Sequence, residues 1–105
     1  MRRVMHGDVV AAARALLALP ESGRRRACQR MIHEAHCAHR YMRRFGRAHA
    51  LWGDGSLMAT AHKRVLLPEP GFSDTRYCGC VEMVLHELIE WRAARQITRG
   101  RRKCT

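Results

Sequence analysis

Apolar residues recur along this chain at three- and four-residue steps, and the strict alternation of a half-buried strand is missing. From Asp8 onward, Val9, Val10, Ala13, Leu16 and Leu17 keep helical spacing until Pro20, which predicts a helix over 8–19 with Asp8 as its cap. Apart from Arg14 the segment is apolar on most sides, so it belongs at the centre of a bundle. A second helix is expected over 21–45, ended by Gly46. Its seam is Cys28, Met31, Ala35, Ala38, Met42 and Phe45, at alternating steps of three and four. The alanines favour close antiparallel packing, and the Pro20-Glu21-Ser22-Gly23 connection makes the pair a helical hairpin.

A glycine-bearing loop over 46–56 follows, with Trp52 expected to plug the core and Ser56 or Asp54 to cap a short third helix through Lys63. Val65 to Gly71 must be extended, because a residue before proline is pushed out of the helical region; Val65 to Leu67 should strap the core. A last helix is expected over 74–97, with Tyr77, Val81, Val84, Leu88 and Trp91 on one face. The predicted fold is thus an all-α bundle in one domain, residues 1–98, followed by a flexible basic tail, 99–105. Its expected core is Val9, Leu16, Leu17, Met31, Ala35, Met42, Phe45, Val81, Leu85, Leu88 and Trp91.

Composition adds the sign of the partner. The chain of 105 residues carries 20 Lys and Arg against 9 acids, a net charge of +11. Eighteen of the basic residues are arginines, a bias that a GC-rich coding sequence produces unaided, yet the net excess suits an anionic partner. Arg26, Arg30, His33, Cys37, Arg40 and Arg44 step by 4, 3, 4, 3 and 4 residues along one face of the second helix. That row is roughly 27 Å long at the helical rise and contains no acid, which matches several backbone phosphates. Arg24, Arg25, Arg43 and Arg47 widen it. Glu82, Glu87 and Glu90 give the last helix the opposite sign on its expected outer face.

Metal chemistry is the weaker reading. His33-Glu34-Ala35-His36-Cys37-Ala38-His39 holds helical ligand spacings, but His33 and Cys37 share their face with four arginines. Cys78-Gly79-Cys80 is not a C-x-x-C pair, so His33, His36, Cys37, Cys78 and Cys80 would serve zinc or redox chemistry only if the fold gathered them. His86-Glu87-Leu88-Ile89-Glu90 starts like a metalloprotease signature but has Glu90 where the second histidine is needed. Gly53-Asp54-Gly55-Ser56 lacks the strand and the lysine of a phosphate loop. No nucleophile, base and orienter assemble, and neither catalysis nor a cofactor is expected.

Five cysteines without a secretory signal, and no apolar run of membrane-spanning length, point to a soluble cytoplasmic protein with free thiols. The first expectation is a small accessory protein that binds nucleic-acid backbone without base readout, in one version a phage-type DNA-packaging or regulatory subunit. The second is an adaptor that docks an acidic protein or self-associates through its arginines. The third is the zinc or redox protein.

Three local runs carry a further likeness: His6-Gly7-Asp8 entering an Ala-rich helix, Gly46-Arg47-Ala48-His49 leading into Trp52-Gly53-Asp54-Gly55-Ser56-Leu57-Met58, and Tyr77-Cys78-Gly79-Cys80 opening the last helix. In these the chain resembles a family of short, uncharacterised bacterial all-α proteins, over residues 4–92. The resemblance implies no activity.

Overall fold

The computed structural model describes the backbone of residues 1–104 and the side chains of residues 1–96. Four helices follow in order: α1 (His6–Leu17), α2 (Glu21–Phe45), α3 (Leu57–Ala61) and α4 (Thr75–Cys104). Among the described residues there is no strand, only an isolated bridge between His49 and Gly53. The all-α architecture with an N-terminal hairpin, a short third helix and a long last helix is therefore the one its periodicity predicts. The last helix, expected to end at 97, runs on to Cys104 and so takes in most of the expected flexible tail, 99–105, whose side chains lie outside the described residues.

The centre of the bundle is α1, which touches the other three helices. Ala11, Ala12, Ala13, Ala15 and Leu16 are all buried, and the four small alanine side chains let the neighbours approach from several sides without a loss of rotamer freedom. Its start lies two residues earlier than expected, because Met5 rather than Asp8 is the cap residue. Asp8 instead sits in the first turn, buried, where Oδ2 accepts a hydrogen bond from the Met5 amide at 2.8 Å and Oδ1 one from the Met58 amide at 2.9 Å. One carboxylate thus satisfies the amino-terminal ends of both α1 and α3.

The second helix has the bounds its sequence predicts, starting at Glu21 directly after Pro20, so the hairpin turn is short. Arg24 reaches back to donate to the Leu16 carbonyl at 3.0 Å and the Leu19 carbonyl at 3.2 Å, closing the carboxyl end of α1. Along the α2 seam, Cys28, Met31, Ala35 and Ala38 are buried, but Met42 and Phe45 are exposed, against expectation. Length explains the break. With 25 residues against 12, α2 outruns α1, and the seam's last two members overhang the bundle.

Leu16, Leu17, Met31, Ala35 and Leu88 are buried as expected, while Val9, Val81 and Trp91 are half-buried. Leu85 is 47% exposed, because it lies well round α4 from the face that holds Tyr77, Val84 and Leu88. Ser56 caps α3 by accepting from the Ala59 amide at 3.1 Å, and this helix stops at Ala61, short of Lys63. Asp74 caps α4 by accepting from the Arg76 and Tyr77 amides.

The strap differs from expectation in its contacts. Only Leu66 packs on the core, whereas Val65 and Leu67 are exposed. What holds it is Arg14, the polar residue of α1, whose Nε donates to the Leu67 carbonyl at 2.6 Å while its own carbonyl accepts from the Leu67 amide at 3.4 Å. Trp52 is no core plug: it is half-buried and stacks on His49 at 4.8 Å between ring centroids.

Candidate anion-binding site

Arg26, Arg30, Arg40, Arg44 and Arg47 are all exposed, together with His33, so the acid-free row runs along the outer face of α2 as its spacing demands. Two of the residues expected to widen it act differently. Arg24 is occupied at the end of α1, and Arg25 faces Glu87 at 3.9 Å. Glu87 itself is not on the outer face of α4. It is buried, accepts from Gln29 Nε2 at 2.9 Å and ties α4 to the first half of α2. The outward acids of α4 are Glu82 and Glu90.

The second half of α2 faces α4 across an open cleft of about 770 Å³. His36, His39, Arg40 and Arg43 line it from α2, and Trp91, Arg92 and Arg95 from α4, with Met1 at one side; among the described residues no carboxylate lines it. The loop after α2 is pressed against this wall: Gly55, at φ +94°, leaves only 2.6 Å between an added Cβ and the Cα of His39. A side chain there would push the loop away from the helix, so glycine sets how closely the cleft wall is buttressed.

His36 is the hub. Arg95 donates to its Nε2 at 2.9 Å, which leaves the ring proton on Nδ1, 3.0 Å from the Met1 amine. Partial burial, with Arg95 beside it, lowers the Met1 amine to about 6, so at neutral pH it accepts that proton. Burial and the surrounding cations, the Met1 amine, Arg95 and Arg40 among them, hold the His36 imidazole down at about 4. His39 is lowered for the same reasons, burial first. The Trp91 ring meets His36 edge-on at 5.3 Å, and the Arg95 guanidinium lies over its face at 4.8 Å. Stacking thus fixes the arginine with its charge turned into the cleft. Six cationic or ionisable nitrogenous side chains share one concavity with no counter-charge among the described residues, an arrangement that an anion relieves.

Arg40 belongs to both the cleft and the outer row, which makes the two one continuous basic surface. Sequence reasoning missed the α4 wall. Its signal is present: Val84, Leu88, Trp91 and Arg95 keep steps of four, three and four, so an arginine stands where the half-buried stripe continues.

The five residues considered for metal are dispersed. His33 Nε2 and Cys37 Sγ are 3.6 Å apart on the outer face, His36 turns into the cleft, Cys78 donates to the Phe72 carbonyl, and Cys80 is buried with its thiol pushed up by burial. No group of three or more His, Cys, Asp or Glu among the described residues is placed to hold a metal ion. His33, His36, Cys37, Cys78 and Cys80 are thus not gathered into one group.

Comparison with known proteins places the family. The model for a domain of unknown function, DUF7742, matches residues 2–88. The chain belongs to the DUF7742 family. Its matched region takes in α1 to α3, the whole α2 wall of the cleft and α4 as far as Leu88, whereas Trp91, Arg92 and Arg95 lie beyond it. No curated protein and no solved structure matches the chain. No described helix is long and apolar enough to cross a membrane.

Proposed function

We propose that this DUF7742 protein is a non-enzymatic nucleic-acid accessory factor, which holds backbone phosphates along the outer face of α2 and in the adjoining cleft. The observation that carries the reading is the cleft lined by His36, His39, Arg40, Arg43, Arg92 and Arg95 with no acid among them, continuous through Arg40 with Arg26, Arg30, Arg44 and Arg47. Arginines match phosphate oxygens in geometry, and an exposed row presents charge without base-reading contacts. A cytoplasmic setting goes with this reading.

The test is retention of labelled duplex and single-stranded DNA at several salt concentrations. Binding should weaken steeply with salt and show little dependence on base sequence. Changing Arg26, Arg30, Arg40 and Arg44 to Ser should lower affinity and flatten the salt dependence, by up to about 0.9 in log–log slope for each duplex phosphate that is no longer neutralised. Folding should hardly change, since these side chains are exposed. Wild-type protein that fails to retain DNA at low salt overturns the proposal.

A further inference from the structure

We propose that the chain pairs with a second copy of itself through the outer side of α4, in an antiparallel two-fold arrangement. Glu82, Leu85, Ile89 and Arg92 follow one another at steps of three, four and three residues, so they form a straight exposed row beside the buried face. Leu85 and Ile89 are 47% and 64% exposed. Next to this ridge an apolar groove of about 560 Å³ runs between α4 and the start of α1, lined by Val81 and Leu88 and, across from them, by Val9 and Phe72. A ridge of residues four apart beside a groove is the surface that helices interlock.

The row is its own complement. Turned end for end about an axis midway between Leu85 and Ile89, it sets Leu85 against the second copy's Ile89 and Glu82 against the second copy's Arg92. Because the axis is two-fold, both contacts occur twice. A parallel alignment would instead set Glu82 on Glu82 and Arg92 on Arg92, so the charges select the antiparallel direction. Among the described residues neither Glu82 nor Arg92 has an ion-pair partner within its own chain. Ten residues separate them, roughly 15 Å of helix, which leaves the apolar pair flanked at both ends by opposite charges. This occupant is argued from charge complementarity on α4 and stands apart from the nucleic-acid proposal, although Arg92 lies on the rim that groove and cleft share.

Sedimentation equilibrium up to sub-millimolar concentration tests the pairing. Wild type should approach the mass of a dimer, and Ile89→Asp should give the mass of one chain. Glu82→Arg and Arg92→Glu should each be monomeric alone, because each makes both end contacts like-charged. Mixing those two variants should restore the dimer mass, since every contact across the axis is again of opposite sign. Circular dichroism of each variant confirms that the fold is retained. A monomeric wild type, a dimer unaffected by Ile89→Asp, or a mixture that stays monomeric overturns the proposal.

Discussion

His36 shows what a single residue reveals about the site. Its Nε2 accepts from Arg95 while its Nδ1 proton faces the Met1 amine, and the imidazole is held down at about 4 by burial and because protonating it would add a charge to a crowd of like charges. An anion in the cleft removes that penalty. Titration of the His36 ring by NMR should therefore give a value near 4 in phosphate-free buffer and a clearly higher one with inorganic phosphate or a short oligonucleotide. An unchanged titration under saturating nucleic acid would place the ligand elsewhere. The arginines of the outer row were legible because helical spacing alone orders them. Arg92 and Arg95 were not, since their role depends on how α4 crosses α2, which no local pattern reports.

Among the elements, α2 marks where periodicity stops being informative. Ala38, Met42 and Phe45 continue the seam at unchanged steps, yet only Ala38 is buried, because a repeat says nothing about the length of the helix it faces. Glu87 illustrates the converse: its charge suggested solvent, and the donor that keeps it inside, Gln29, comes from another helix. Two glycines at the ends of the following loop make the local and tertiary contributions separable. Gly46, at φ +70°, has open space around it, so Gly46→Ala should cost only the left-handed backbone penalty, about 1 kcal/mol. Gly55→Ala adds a collision with the His39 backbone to the same penalty and should cost about 2–4 kcal/mol in urea denaturation. Similar losses for both would mean that the loop does not press on α2.

For the whole molecule, the fold and the sign of its surface could be read from sequence, because helical periodicity and net charge are additive properties of the chain. The cleft could not, because it exists only between helices. Its ionisation has a global consequence. In the unfolded chain His36 takes up a proton near 6.5, whereas in the folded protein it does so near 4. Between those values the unfolded state binds more protons, so stability is complete above pH 6.5 and is lost as pH falls through 4. The Met1 amine, lowered from 8.0 to about 6, acts with the same sign at higher pH. Urea denaturation followed from pH 8 to pH 4 should show stability declining with acid, and His36→Gln should flatten the decline below pH 6.5. A wild-type profile independent of pH over that range would contradict the placement of His36.

The carboxylate of Asp8, shared between the first turns of α1 and α3, makes those two helices inseparable in time as well as in space. Five residues are too few for α3 to persist alone, and an isolated turn at the edge of a bundle ordinarily exchanges its amide hydrogens through small local openings. Here the Met58 amide cannot open without stripping one oxygen of a buried anion of its donor. Its deuterium uptake should therefore be slow and should keep pace with the middle of α1, so the smallest helix of the protein opens only when the central one does.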